Sequence, residues 1–279
     1  MSPYNIYVLL KDYTKQNLVT KYGIHLAKEI NSKAVLLGIG KVTSAASPVI
    51  VNNSVLPDAK YLDVKALKKN ILTSLQQVRL DVLEIHDQVF CEAAVGLSDT
   101  DVVTMTKDKD PFLMVIEAQN ELTSFNEWFG TYETKIAEDT DYPVLAVPPK
   151  TKWKPVKNIL YLMDLDDAKV DNMRTLTTLT QKLDAHLQVI FVSQKDIEEA
   201  DGSYQQMVSV FKNILGFKEP TYHRIFGANK GSEVAGLVDA LAPDWLAFEQ
   251  KNKNFFERLF DDYNTKRLLL QSDIPTLVF

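Results

Sequence analysis

The chain reads as an α/β protein made of two tandem, doubly wound, five-stranded parallel-sheet domains. Short apolar runs alternate with helical stripes along its whole length, and the order of these elements restarts just past residue 150. The runs are continuously apolar rather than alternating, as in strands buried on both faces. A length of 279 residues suits two such domains.

The first strand is Ile6-Tyr7-Val8-Leu9-Leu10, followed by a helix with Leu18, Tyr22, Leu26 and Ile30 on one face. The run Ala34 to Ile39 gives a second strand. A long helix from about Tyr61 to Ile85 carries Val64, Leu67, Ile71, Leu75, Val78 and Val82 on one stripe. Gln88 to Val95 is strand-like and ends at Gly96. A short helix with Val102 and Met105 leads to the strand Phe112 to Ile116, and a further helix to the strand Pro143 to Val147.

The same order then begins again. Lys157 to Met163 is the first strand, Met173, Leu176, Leu179 and Leu183 mark the helix, and Leu187 to Val192 form the second strand. Met207, Val210, Phe211 and Ile214 mark the next helix, and Tyr222 to Phe226 a strand ending at Gly227. Asp244 to Phe248 and Pro275 to Phe279 close the copy. Ile6 and Ile159 match at a separation of 153 residues, whereas Gly96 and Gly227 match at 131, so copy one carries 22 extra residues. The Ser-, Pro- and Asn-bearing stretch Ser44 to Asp58 is where most of them fall, as a surface loop. The stiff polar linker Pro148 to Pro155 sets the domains at 1–150 and 151–279.

Composition narrows the function classes. A net charge of −6 with no long Lys/Arg run argues against a nucleic-acid or anionic-membrane surface. No apolar stretch approaches the ~20 residues of a membrane span, and the N-terminus lacks a secretory pattern, so the expected location is cytoplasmic. Cys91, the single cysteine, is expected to be a buried strand thiol beside Val89, Phe90 and Ala93. His25, His86, His186 and His223 are scattered without metal-ligand spacing. The chain has neither a G-x-S-x-G elbow nor a P-loop, and no nucleophile-and-base pair emerges, so it is not expected to be an enzyme.

Each half resembles the universal stress protein domain, within a wider group of adenine-nucleotide-binding, Rossmann-like folds. The resemblance is carried by the tandem order, by Ile159 to Asp164 as an opening strand with a terminal Asp, and by Asp244 to Phe248 and Asp273 to Phe279 as the last two strands. It implies a site at the carboxyl ends of the strands, with Asp164 contacting a nucleoside. In copy one the aligned residue is Lys11, with Asp12 next to it.

Nucleotide-binding members carry G-x2-G-x9-G-[ST], in which glycines let backbone amides close on phosphates. Counting back from Pro143 keeps only Gly130 and Thr131 of that pattern, with Glu117 and Asn120 at the first two glycine positions. Counting back from Pro275 keeps none, with Glu249, Asn252 and Asp262 at the glycines and Tyr263 in the Ser/Thr place. A carboxylate there repels phosphate and its β-carbon fills the space. The turn Gly227-Ala228-Asn229-Lys230-Gly231-Ser232 could cradle an anion through its amides, or be a glycine turn with Ser232 as N-cap. Asp164, Asp166 and Asp167 could hold Mg²⁺ or simply cap the next helix. Trp128, Phe129, Phe255 and Phe256 fall near the degenerate loops, as pocket filling or base-stacking groups.

The expectation is a non-catalytic stress-response protein with no cofactor, acting through an unknown protein partner or a non-ATP ligand. Its halves would form an internal pseudo-dimer through their last strands, with a homodimer also open. The alternative is an adenine-nucleotide-binding regulator holding ATP or AMP in copy two through Asp164 and the Gly227–Ser232 turn.

Overall fold

A computed structural model describes residues 4–10, 17–41, 50–51, 54–55, 64–96, 104–107, 109, 111–118, 140, 142–167, 171–215, 219–226, 230–249 and 273–279. Two compact units emerge: Met1–Ile116 with Asp139–Tyr142, and Glu117–Glu138 with Pro143–Phe279.

In the first unit the elements run β1 (Asn5–Leu10), α1 (Leu18–Glu29), β2 (Lys33–Lys41), β3 (Ile50–Val51), β4 (Ser54–Val55), α2 (Val64–Val82), β5 (Val89–Gly96) and β6 (Leu113–Glu117). Strand β1 pairs in parallel with β2 and β6, and β2 with β5, giving the order β6-β1-β2-β5. Asn17 caps α1 by accepting the Thr20 N–H at 2.7 Å. The helix buries Val19, Tyr22, Ile24, Leu26 and Ala27. It approaches the sheet so closely that a β-carbon on Gly23 would lie 2.5 Å from Val8 Cγ2. Helix α2 packs on the same sheet face, seating Ile71 against Gly38 and Gly40. The opposite face carries Tyr7, whose hydroxyl donates to Glu92 Oε1 at 3.2 Å, while Glu92 Oε2 lies 2.6 Å from Lys109 Nζ.

Three expectations for this unit need correction. Val64, placed on the buried stripe by its spacing, is 46% exposed, because burial along α2 begins only at Ile71. Cys91 is half-buried rather than fully enclosed, since β5 pairs with β2 alone among the described residues. Burial still pushes its thiol pKa up, against a smaller lowering by Arg79. Within the Ser44–Asp58 insertion, β3 and β4 form an antiparallel hairpin pairing Ile50 with Val55, where a plain loop was expected. Val51 pairs with Ser54 next to it, and hairpins share the polar, turn-forming composition that suggests a loop.

The second unit contains β7 (Val144–Val147), β8 (Asn158–Asp164), a 3-10 turn (Leu165–Asp167), α3 (Asp171–Lys182), β9 (His186–Ser193), α4 (Ile197–Leu215), β10 (Thr221–Phe226), α5 (Lys230–Leu241), β11 (Trp245–Phe248) and β12 (Thr276–Val278). Strands β10, β9, β8, β11 and β12 lie side by side in parallel, and β12 pairs antiparallel with β7. Strand β12 thus has β11 on one side and β7 on the other, with Leu277 opposite Leu145. Trp245, Tyr161, Phe191 and Phe211 are among the largest fully buried side chains. Edge-to-face contacts of Phe211 with Tyr161 at 6.4 Å and with Phe191 at 6.2 Å fasten α4 to the sheet.

The linker is part of this unit's framework. Asp244, just before β11, accepts the backbone N–H groups of Lys157 and Asn158 at 2.7 and 2.9 Å, and meets Lys154 Nζ at 2.7 Å. Thr151 adds a bond from its hydroxyl to the Asp273 carbonyl. Among the described residues, no helix is long and apolar enough to cross a membrane.

Candidate functional site

Strand β8 has β9 on one side and β11 on the other. The chain moves outward through β9 and β10, then crosses back to β11, so the winding reverses between β8 and β11. Open α/β sheets part at such a reversal, and the crevice at the carboxyl ends of the strands is where they take ligands. Asp164 ends β8 and Glu249 directly follows β11, placing two carboxylates at its rim.

Glu249 is held from below. Tyr161 sits opposite Ala247 in the ladder, and Glu249, two residues on, projects on the same side. The Tyr161 hydroxyl donates to Glu249 Oε1 at 3.0 Å. Burial, then the Glu249 charge and hydrogen bond, drive the Tyr161 pKa well above its usual value, so the phenol keeps its proton and stays a donor. The carboxylate stands at the first glycine position of the phosphate loop the resemblance implies, fixed by a core side chain.

The acidic group after β8 is also ordered by its own contacts. Asp164 Oδ1 accepts the Asp166 N–H at 3.0 Å, which shapes the 3-10 turn. Asp166 accepts the Ser193 hydroxyl at 2.8 Å and the Gln194 N–H at 2.9 Å, with Lys195 Nζ 3.9 Å away. Asp166 thus ties the end of β8 to the end of β9, and its oxygens are already engaged there. Among the described residues, no group of three or more His, Cys, Asp or Glu is arranged to hold a metal ion.

Of the residues singled out in the glycine turn, Gly231 and Ser232 are described; Gly227 and Asn229 lie outside the described residues. Helix α5 starts at Lys230, so Ser232 stands inside its first turn and is not its N-cap. Gly130, Thr131, Asn120, Asn252, Asp262, Tyr263, Lys11, Asp12 and the aromatics Trp128, Phe129, Phe255 and Phe256 also fall outside the described residues. Glu117, at the first glycine position counted back from Pro143, ends β6.

The histidines do not converge. His86 is buried with Nε2 2.8 Å from the Ser32 carbonyl, His186 meets Thr221 Oγ1 at 2.8 Å, and His223 meets Gln188 Oε1 at 3.2 Å. His25 lies on α1, and its pKa is lowered by burial first and then by Lys28 and Lys21.

Sequence reasoning missed the Tyr161–Glu249 bond, the Asp166–Ser193 tie and the Asp244 anchor. The sole signal for the first was a tyrosine in an otherwise aliphatic run ending in Asp164.

No protein-family model matches the chain, and no curated protein matches it either. Solved structures do. A candidate universal stress protein from Pseudomonas aeruginosa UCBPP-PA14 superposes with a TM-score of 0.61 at 15% identity, over 100% of this chain and 93% of that one. A universal stress protein from Archaeoglobus fulgidus DSM 4304 gives 0.59 at 12% identity, over 98% and 95%. The cytoplasmic domain of a prokaryotic cation chloride cotransporter gives 0.50 at 10% identity, over 99% and 94%. The chain has the α/β, Rossmann-like fold of universal stress proteins. The transporter match shows one architecture serving different proteins, so function has to be argued from the site.

Proposed function

We propose that the chain is a non-catalytic, cytoplasmic stress-response protein with degenerate nucleotide loops, acting through protein partners or through a ligand unlike ATP. The observation that carries this reading is the Tyr161 hydroxyl holding the Glu249 carboxylate at 3.0 Å beside the crevice between β8 and β11. A phosphate approaching there meets a fixed negative charge where a nucleotide-binding member offers a glycine. Two unit charges at ~4 Å repel by about 4 kcal/mol at an effective dielectric of 20, enough to cancel much of a phosphate's binding energy. The antiparallel pairing of β7 with β12 supports the two halves working as an internal pseudo-dimer.

Mass spectrometry of small molecules kept by the purified protein tests the proposal. The expected result is no adenine nucleotide, and no heat in an ATP titration. One adenine nucleotide per chain would refute it.

A second reading, nucleotide binding by the second unit alone, is favoured by the placement of Asp164 at the rim of the same crevice. It requires a melting temperature that ATP raises in the wild type but not in Asp164→Asn, a change that keeps an acceptor for the Asp166 N–H.

A further inference from the structure

Helices α2 and α4 fill equivalent places in the two units, each connecting the second strand of its copy to the third, and each is 19 residues long. Their exposed first turns carry opposite charge. Helix α2 opens with Lys65, Lys68 and Lys69, all exposed, and has no acidic residue in its first turn. Helix α4 is preceded by the exposed Asp196 and opens with the exposed Glu198 and Glu199.

The acidic opening of α4 is what the positive end of a helix dipole favours. The basic opening of α2 opposes its own dipole and gains nothing from it within the helix. Each patch also has an apolar centre, formed by the first residue of its helix. Val64 is 46% exposed and Ile197 63% exposed, and both are among the few large apolar side chains left to solvent in the described residues. One patch is thus an aliphatic side chain followed by three lysines, and the other an aliphatic side chain flanked by three carboxylates, with Lys195 just before them.

We infer that the α2 opening of one chain docks on the α4 opening of a second copy of the chain. Val64 then covers Ile197, and Lys68 and Lys69 face Glu198 and Glu199. The charge complement is what selects a second copy as the occupant, because every chain carries both halves of the contact. Such a contact is heterologous, joining unlike surfaces head to tail, so it builds a ring or an open string according to the angle it imposes.

Sedimentation velocity over a concentration series tests this in ~0.1 M and ~1 M salt, where the screening length falls from about 10 Å to about 3 Å. The wild type is expected to exceed the mass of one chain at low salt and return to it at high salt. Lys68→Glu/Lys69→Glu and Glu198→Lys/Glu199→Lys are each expected to sediment as single chains, with circular dichroism and melting curves verifying that they fold. An equimolar mixture of the two variants offers opposite patches again and is expected to regain the heavier species. A wild type of single-chain mass at low salt overturns the inference, as do folded reversals that still associate or a mixture that does not.

Discussion

Replacing Asp244 with alanine removes the acceptor for the Lys157 and Asn158 N–H groups, which lie at 2.7 and 2.9 Å at the start of β8. Its carboxylate side chain is only 13% exposed, whereas that of Lys154 is 64% exposed. Hydrogen bonds to a charged acceptor contribute about 1.5–3 kcal/mol each, and water can replace the bond at the more exposed Lys157. The expected loss is therefore about 2–3 kcal/mol. For a unit of this size that corresponds to a fall in melting temperature on the order of 4–12 °C. Lys154→Ala removes only the solvent-screened partner and should cost less than about 1 kcal/mol.

The pH dependence supplies a second check. Burial pushes the Asp244 pKa up, but the bonds from Lys154, Lys157 and Asn158 and the Lys154 charge outweigh it, leaving the value below the usual 3.8. A carboxylate depressed in the folded state stabilises fully above its unfolded value of about 3.9 and loses that contribution as pH falls through its folded value. The gap between wild type and Asp244→Ala should accordingly hold at neutral pH and close in acid below about pH 4. Urea unfolding followed by tryptophan fluorescence reads both quantities. A loss under about 0.5 kcal/mol, or one equal to that of Lys154→Ala, would mean that the backbone bonds to Asp244 contribute nothing net.

Further outcomes are expected from the packing and the site. Gly23→Ala and Gly38→Ala force a β-carbon to within 2.5 Å of Val8 and Ile71 side-chain carbons, and each should cost about 1–3 kcal/mol in thermal unfolding. Gly202→Ala and Gly236→Ala, with nothing within 4 Å of the new carbon, should instead stabilise by about 0.5–1 kcal/mol each. Tyr161→Phe leaves Glu249 Oε1 without its core donor and should lower stability by about 1–2 kcal/mol, while leaving ATP titrations as blank as in the wild type.

The strands were legible because burial on both sheet faces makes them continuously apolar. Ile6–Leu10 and Ile159–Met163 read as strands from composition alone, and every residue in both runs is buried. Helix α2 was legible in type, but its stripe reached one turn too far, since periodicity does not say where the sheet beneath a helix stops. The site was legible only in outline. The carboxyl-end location follows from topology and Asp164 from the resemblance, whereas the Tyr161–Glu249 bond joins residues 88 positions apart and the Asp244–Asn158 bond residues 86 apart. Pairings of that kind leave no local pattern, because the fold alone brings such partners within reach.

The antiparallel partnership of β7 and β12 bears on how the molecule can be divided. Anyone trimming the chain to begin at Thr151 would remove Val144–Val147 and strip Thr276–Val278 of one of its two neighbours. The freed ribbon would offer a bare ladder of amides and carbonyls to any passing strand, inviting clumping. Retaining the stretch from Pro143 onward keeps Thr276–Val278 paired on both sides.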